Sequence, residues 1–116
     1  MKKSPDRDRL HLLHMRDAAT QARQFISGRS REDFDNDLFF QFALAKAVEL
    51  IGESANRISE ELQLQHPQIP WRRIIGMRHV LVHNYWRVEK DVIWETVQTH
   101  IPTLITQLEQ LLESTD

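Results

Sequence analysis

The sequence predicts an all-α domain, an up-and-down bundle of four to five helices. Apolar residues recur at steps of three and four over several long stretches, which is the spacing of one buried helix face. No stretch alternates apolar and polar residues between turn signals, as a half-buried strand would. Three Gly and four Pro leave few turns for a sandwich or a barrel, and 116 residues suit one domain over residues 1–116.

The first two helices have clear boundary signals. Ser4 is placed to cap the first helix and Gly28 to end it. Ser30 is a second N-cap and opens a short helix over residues 31–34, with Phe34 as a plug for the end of the bundle. The first helix presents one apolar stripe, made of Leu12, Met15, Ala19, Ala22 and Ile26.

A long third helix is expected after Asp35-Asn36-Asp37, running for about 28 residues or roughly 40 Å. Gly52 within it indicates a close helix crossing or backbone approach. Glu53 beside it is either a solvated residue or a carboxylate directed at a basic stretch farther along the chain. The apolar seam of this helix contains Leu38, Phe39, Phe42, Leu44, Val48, Ile51, Ala55, Ile58 and Leu62.

Shorter helices follow. Pro70 is placed to start a helix that ends near His83. The next helix begins at Lys90-Asp91, and His100-Ile101-Pro102 kinks or ends it. A last apolar helix runs from Thr103 to Leu112.

Composition excludes several classes of protein. The chain has no Cys, so it can form neither a disulfide framework nor a thiolate metal site. The first residues lack the apolar region of a signal peptide, and no apolar run approaches the roughly 20 residues of a membrane span. We therefore expect a cytoplasmic protein without a membrane partner.

The net charge of −2 conceals an uneven distribution. No acidic residue lies between Glu61 and Glu89, so the arginines of that interval give it +4 and leave −6 for the rest of the chain. The segment could form a positive patch for a polyanion, or its arginines could pair with acids elsewhere. These arginines are Arg72, Arg73, Arg78 and Arg87.

Arg78, His83 and Tyr85 are poor choices for filling a core, but they suit the handling of a phosphodiester. Cleaving RNA without a metal needs one group to deprotonate the 2′-OH and another to protonate the leaving 5′-oxygen. Histidine suits both steps because its pKa is about 6.5. A guanidinium stabilises the charge that develops on the phosphoryl oxygens, and a phenol can bond the phosphate or stack on a base.

The spacing of these residues favours a two-fold homodimer. In a straight helix Arg78 and His83 point about 140° apart, so one continuous helix would not direct both at one atom. Either the helix ends before His83, or a second copy of the segment completes the site. His79 and His83 are spaced as a metal pair, but no third ligand is spaced to join them, so no metal site is expected.

The same segment resembles a known signature. Arg78, four residues, His83, one residue and Tyr85 match the Arg-x(4–6)-His-x-Tyr pattern of HEPN domains. Segments along nearly the whole chain are similar to the HepT toxins, namely Met15-Arg-Asp-Ala-Ala19, Arg29-Ser-Arg-Glu-Asp-Phe34, Ile51-Gly-Glu-Ser-Ala55, Ile69-Pro-Trp-Arg-Arg-Ile-Ile-Gly-Met-Arg78, Trp94-Glu95 and Ile101-Pro-Thr-Leu104.

The resemblance implies a HEPN-like helical bundle that dimerises, with a composite RNase site in the cleft. It implies the toxin of a type VII toxin–antitoxin system, a metal-independent endoribonuclease that acts on tRNA or mRNA and needs no cofactor. The antitoxin would be a minimal nucleotidyltransferase of the MntA type, which transfers AMP from ATP to Tyr85. By position, Arg78 would stabilise the phosphate and His83 would act as acid and base. Support or RNA binding would come from His79, where the family more often has Asn or Asp, and from Asn84, Arg72, Arg73, Arg87 and Glu53.

Two other functions fit the same residues. The fold could serve as the non-catalytic nucleotide- or substrate-binding partner of a minimal nucleotidyltransferase, with the polar cluster gripping a phosphate. It could also be a purely structural dimer partner. Arg78 would then pair with Glu53. His83 would cap a helix end, and Tyr85 would pack in the core with its hydroxyl at the rim.

Overall fold

The computed structural model describes residues 5–79 and 89–114. Every regular element in those two ranges is helical and none is a strand, which confirms the all-α class. None of the described helices is long and apolar enough to cross a bilayer. A 3₁₀ turn, Met77–His79, follows α5, and a π-helical segment, Thr96–His100, joins α6 to α7. The helices are α1 (Pro5–Ile26), α2 (Arg31–Asp35), α3 (Leu38–Asn56), α4 (Glu60–Gln65), α5 (Trp71–Gly76), α6 (Lys90–Glu95) and α7 (Ile101–Ser114).

The helix α1 packs against both α3 and α7, so it lies in the middle of the bundle. Four residues of its predicted stripe are fully buried, and the fifth, Ile26, is partly buried. The periodicity of the last helix is confirmed in the same way. The buried residues are Leu12, Met15, Ala19 and Ala22 of α1 and Leu104, Ile105, Leu108, Leu111 and Leu112 of α7.

The predicted boundary between α1 and α2 is confirmed. Gly28 has a φ of 73°, a left-handed conformation that glycine adopts readily. Ser30 forms a capping box: its hydroxyl oxygen accepts the Asp33 N–H at 3.1 Å, and its own N–H donates to the Asp33 carboxylate at 2.8 Å. The hydrogen bond from the Ser30 N–H lowers the pKa of Asp33. Ser4, the predicted cap of α1, lies outside the described residues.

Phe34 fills one end of the core, as the sequence predicted. Its side chain is fully buried. Its ring lies edge-on to Phe40 with the centroids 5.3 Å apart, and its centroid is also 5.3 Å from that of Trp94. Because these rings come from α2, α3 and α6, this aromatic cluster ties three helices together.

The prediction of a single long third helix is wrong, because the helix breaks between α3 and α4. The helix α3 has 19 residues and ends at Asn56. A new helix starts after Ser59, whose hydroxyl oxygen accepts the Leu62 N–H at 3.2 Å. Asp8 of α1 holds the break by accepting hydrogen bonds from the Ser59 N–H, at 2.8 Å, and from the Ser59 hydroxyl. Ile58 stays buried, so the apolar seam passes through the break.

The predicted burial of the first residues of the seam is also wrong. Leu38, Phe39 and Phe42 are 61%, 83% and 41% exposed. The core face of α3 begins at Phe40 and Gln41 instead. The Gln41 side-chain amide donates to two backbone carbonyls of α2, at 2.9 and 3.1 Å, and this contact fixes which side of α3 faces inward.

The helix predicted from Trp71 to His83 ends much earlier, at Gly76. The chain tightens at Met77, whose N–H bonds back to the Ile74 carbonyl, and continues as the 3₁₀ turn. Trp71 and Ile74 are buried as predicted.

The predicted kink before Pro102 is present as the π-helical segment. The Ile101 N–H donates to the Thr96 carbonyl, five residues back in the chain. Proline has no N–H, and its ring would clash with the carbonyl four residues earlier in an α-helix. The wider turn of the π-helix relieves that clash.

Candidate functional site

The backbones of α3 and of the turn after α5 approach each other at Gly52, as the sequence predicted. A methyl group at Gly52 would lie 2.7 Å from the Arg78 backbone nitrogen, 2.9 Å from the Ile74 carbonyl oxygen and 3.2 Å from the Arg78 Cβ. Distances under 3.0 Å to backbone atoms are not tolerated without a shift of the chain. The absence of a side chain at Gly52 therefore sets where the Arg78 backbone lies.

Arg78 is half-buried and lies in the 3₁₀ turn Met77–His79. The α-helix α5 ends at Gly76, before this turn. The course of the chain from Arg78 to His83 falls outside the described residues, so both geometries that the sequence allowed stay predictions. His79 contributes its backbone to the turn, and its side chain is outside the described part of the chain.

Four of the predicted site residues lie wholly in the stretch 80–88, outside the described residues. The convergence of the guanidinium, the imidazole and the phenol therefore stays a prediction. The residues concerned are His83, Asn84, Tyr85 and Arg87.

Arg72 and Arg73 are both exposed on α5. Within residues 5–79 and 89–114, neither side chain takes part in an ion pair. Within the described ranges, therefore, no acidic side chain neutralises these two arginines. Glu53 is exposed on α3, one residue after the close approach at Gly52.

Arg73 stands between two surface depressions that also share Met77 and His100. One is a cavity of about 220 Å³ between α5 and the start of α7, and the other is a groove of about 320 Å³ that reaches Glu95 of α6. A third, open depression of about 730 Å³ on the other side of α5 is lined by Arg72 and Arg73. The exposed arginines of α5 thus border concave surfaces on both sides of the helix, next to the turn that carries Arg78.

Sequence reasoning missed His100 as a residue near the site. His100 ends the π-helical segment and lines both depressions beside Arg73. The proline two positions later predicted irregular backbone here, and irregular helical turns are frequent at functional sites. Nothing in the local sequence, however, brings α5 next to this turn.

Comparison with known proteins places the chain among ribonucleases. The model of the ribonuclease HepT-like family matches residues 15–111, a range that includes Arg78, His83 and Tyr85. The chain is 42% identical over 80 residues to a probable ribonuclease HepT of Thermococcus cleftensis, covering 69% of this chain and 73% of that protein. It is 36% identical over 88 residues to a protein of Caldanaerobacter subterraneus subsp. tengcongensis that bears an RNase name, covering 76% and 79%.

A third relative, from Methanocaldococcus jannaschii, also bears an RNase name and is 24% identical over 98 residues, which is 84% of this chain and 90% of that protein. No solved structure gives a significant match. Because the family model spans most of the chain and two relatives exceed 30% identity over more than two thirds of it, the chain belongs to the HepT-like ribonuclease family.

Proposed function

We propose that this chain is a metal-independent endoribonuclease and the toxin of a type VII toxin–antitoxin system. The observation that carries the proposal is the position of Arg78, whose backbone lies against Gly52 of α3 within the stretch that matches the ribonuclease family. A packed backbone restricts where a side chain can go, and restricted donors stabilise a transition state better than mobile ones. Arg78 would thus be a fixed cation for a phosphate.

The proposed reaction uses the 2′-hydroxyl of the RNA as its nucleophile. An imidazole of His83 removes the hydroxyl proton, and the 2′-oxygen attacks the adjacent phosphorus. The bond from phosphorus to the 5′-oxygen breaks, and a protonated imidazole gives its proton to that oxygen. The products are a 2′,3′-cyclic phosphate and a 5′-hydroxyl. Arg78 stabilises the charge on the phosphoryl oxygens in the transition state.

A homodimer supports this chemistry because base and acid catalysis need two imidazoles or one that acts twice. A two-fold axis beside the segment would supply a second His83 to the same cleft. Arg72 and Arg73 are exposed without ion pairs in the described ranges, so they are available for neighbouring phosphates of a tRNA or mRNA substrate.

The proposed antitoxin is a minimal nucleotidyltransferase of the MntA type, which transfers AMP from ATP to Tyr85. An adenylyl group is bulky and anionic, so in a phosphate-binding cleft it would block and repel RNA. Tyr85 is the single tyrosine of the chain. Incubation with antitoxin and ATP should therefore add mass in AMP-sized steps, and a Tyr85→Phe protein should gain none. Equal labelling of the two proteins would refute this assignment.

Cleavage of RNA by the purified chain tests the main proposal. Protein whose intact mass excludes an adenylyl group should cleave tRNA or mRNA in the presence of a chelator and should leave DNA of the same sequence intact. Arg78→Ala and His83→Ala should each lower the rate by about 10²–10⁴-fold without loss of helical circular dichroism. Arg23→Ala, which removes an exposed arginine of α1, is the matched control and should cleave normally. Intact RNA after incubation with unmodified wild-type protein would refute the proposal.

A second candidate function is the non-catalytic nucleotide-binding partner of a nucleotidyltransferase. The observation that favours it is the cavity of about 220 Å³ beside Arg73, whose lining residues are half apolar and half polar. The polar part contains Gln68 and Gln107, and the Gln107 side-chain amide donates to the Gln68 carbonyl at 3.2 Å. Binding of AMP or ATP by a chain that cleaves no RNA would support this function. Cleavage that depends on Arg78 and His83 would exclude it.

A further inference from the structure

The cavity of about 220 Å³ between α5 and α7 has apolar side chains on both of its sides. They are Ile74 and Met77 on the side of α5, and Ile101 and Leu104 on the side of α7. Three of these four side chains are buried in the core, so the walls of the cavity are held in place without a ligand. The volume lies below the roughly 300–1,000 Å³ of sites for drug-sized molecules, and it suits one small flat ring system.

Two glutamines give the same cavity groups that can form hydrogen bonds with a base edge. The Gln107 side-chain amide donates to the Gln68 backbone carbonyl at 3.2 Å, and this bond turns its nitrogen toward Gln68. Within residues 5–79 and 89–114, the Gln107 Oε1 atom accepts no hydrogen bond and the Gln68 carboxamide makes none. The lining therefore offers an oriented acceptor, and on the adjoining residue an amide that can donate.

Adenine is the base whose edge matches these two groups. Its N6 amine is a donor and its N7 atom is an acceptor, which is the pair that glutamine recognises in nucleic acids. Guanine presents the two acceptors O6 and N7 at that edge, so it would direct an acceptor at Gln107 Oε1. Uracil presents the O4 acceptor of thymine and would do the same.

Three residues line both this cavity and the neighbouring groove of about 320 Å³, so they lie where one opens into the other. They are Arg73, Met77 and His100. Arg73 and His100 are exposed, and neither has an ion pair or a side-chain hydrogen bond within the described ranges. A guanidinium at this place can bind a backbone phosphate, and an imidazole can stack on a base. Glu95 also lines the groove, and its carboxylate would repel a phosphate but can accept the 2′-hydroxyl of a ribose.

We infer that this cavity is a base-binding subsite for the RNA substrate, which takes one unstacked adenine while Arg73 binds a neighbouring phosphate. The groove extends to Gly76 and Met77, and Arg78 is the next residue of the chain, so a strand in the groove leads toward the proposed cleavage site. Proteins recognise single-stranded RNA in this way, through bases that leave the stack and present their edges. The assignment of the adenosine to RNA rests on the proposed function, and it makes the substrate a single strand with an adenosine at a fixed distance from the cut.

Cleavage of an oligouridine that contains one adenosine tests the subsite. Cuts by the wild-type chain should fall at one fixed distance from the adenosine, and moving the adenosine by one nucleotide should move the cuts by one. Purine riboside in its place lacks the N6 amine and should slow cleavage at that position by roughly tenfold, because one bond of a bidentate pair is lost. Cuts at positions unrelated to the adenosine would overturn the inference and leave the ribonuclease standing.

Gln107→Ala tests the acceptor, and Gln110→Ala is its matched control, an exposed glutamine of α7 outside the lining of the cavity. Fluorescence anisotropy in a His83→Ala background measures the affinity for the oligouridine with and without its adenosine. The adenosine should strengthen binding by roughly tenfold, Gln107→Ala should abolish that difference, and Gln110→Ala should keep it. A loss of structure would weaken the binding of both oligonucleotides, whereas the loss of a base contact affects only one. Equal affinity of the parent protein for the two would overturn the inference.

Arg73→Ala tests the phosphate contact separately from the base. It should weaken the binding of both oligonucleotides by the same factor, because a phosphate contact does not depend on sequence. It should also reduce the slope of log affinity against log salt concentration by about 0.7, the value for one phosphate of a single strand. Arg23→Ala removes an exposed arginine of α1 and should keep the slope. An unchanged slope in Arg73→Ala would overturn the position assigned to the phosphate.

Measuring binding and cleavage separately distinguishes this inference from the proposed function. Binding that depends on the adenosine, without any cleavage, would leave the subsite standing and refute the ribonuclease. Cleavage that is independent of the adenosine would do the reverse. Free AMP has the same base and phosphate chemistry, but it should bind at least about tenfold more weakly than the oligonucleotide because it lacks the neighbouring phosphates. Equal affinity for AMP would overturn the assignment to RNA and favour a site for a free nucleotide.

Discussion

The substitution Gly52→Ala has two opposite effects on the free energy of unfolding, a gain in helix propensity and a loss from steric overlap, and the distances in the structure indicate that the loss is larger. In the interior of a helix, alanine is favoured over glycine by about 1 kcal/mol. At Gly52, however, the added methyl group would lie 2.7 Å from the Arg78 nitrogen and 2.9 Å from the Ile74 oxygen. Overpacking costs about 1–3 kcal/mol, and contacts with backbone atoms belong at the upper end because backbone cannot rotate away.

The net expectation for Gly52→Ala is a loss of about 1–2 kcal/mol in the free energy of unfolding. A loss of that size lowers the melting temperature by about 4–8 °C in a domain of this length. Urea unfolding followed by tryptophan fluorescence measures the free energy, and calorimetry measures the melting temperature. The variant should also cleave RNA at least about tenfold more slowly while fully folded, because the shift that relieves the contact moves Arg78.

Gly76→Ala is the matched control for this prediction. A methyl group at Gly76 meets nothing within 4 Å, and the residue ends α5 without a positive φ. Helix propensity then acts alone, so the variant should be more stable than the wild type by up to about 1 kcal/mol. If Gly52→Ala proved as stable as Gly76→Ala, the close approach at Arg78 would be refuted, whatever its effect on cleavage.

Three further predictions concern the framework around the site. Phe34→Ala should lower the free energy of unfolding by about 3–5 kcal/mol, because it empties the centre of the aromatic cluster with Phe40 and Trp94. Asp8→Ala should lower it by about 1.5–3 kcal/mol, since both hydrogen bonds from Ser59 end on that carboxylate. The third concerns acid: the Phe40 N–H, and then Arg29, hold the pKa of Asp37 below its ordinary 3.8. A depressed pKa stabilises the fold above the ordinary value and loses that effect as the pH falls through the folded-state value, so Asp37→Asn should flatten the loss of stability below about pH 4.

The first two of these predictions each have a control within the chain. Leu64→Ala removes an exposed side chain of α4 and should change stability by no more than about 0.5 kcal/mol. Asp6→Ala removes an exposed carboxylate from the same turn of α1 as Asp8 and should have a similarly small effect. Asparagine at position 37 keeps the oxygen that caps α3, so equal acid sensitivity of Asp37→Asn and the wild type would refute the role of the charge. Equal stability of Asp8→Ala and Asp6→Ala would refute the role of Asp8 in the break.

The parts of the fold that the sequence predicted correctly depend on neighbours in the chain. The left-handed conformation of Gly28 is a property of that one residue, and the capping box joins Ser30 to Asp33, three residues later in the chain. The break after Asn56 depends on Asp8, which lies 51 residues away from Ser59. Because Ile58 is buried like the apolar residues of α3, the spacing of apolar residues continues through the break and does not indicate that the helix ends there. Local patterns therefore located the end of α1 and the start of α2, and they missed the break after α3 that a distant residue makes.

The candidate site also has features that local sequence predicts and features that it does not. The residue types and their spacing were enough to predict a phosphodiester chemistry, and Gly52 was enough to predict that another backbone segment approaches α3. The identity of the segment that approaches Gly52 was not predictable, because nothing near Gly52 in the chain specifies Arg78. The early end of α5 at Gly76 was not predictable either, because apolar residues continue at helical spacing through Met77.

The misplaced phenylalanines of α3 follow from a limit of periodicity itself. An apolar stripe predicts that a helix face is covered, but it does not distinguish a covering helix of the same chain from one of another chain. The core of the domain takes the side of α3 that contains Phe40, Leu44 and Ile51, and Gly52 admits the turn with Arg78. Phe39 and Phe42 belong to a side that neither of these occupies. The prediction that they belong to one buried seam was therefore wrong, because their side of α3 is not covered by the described part of the chain.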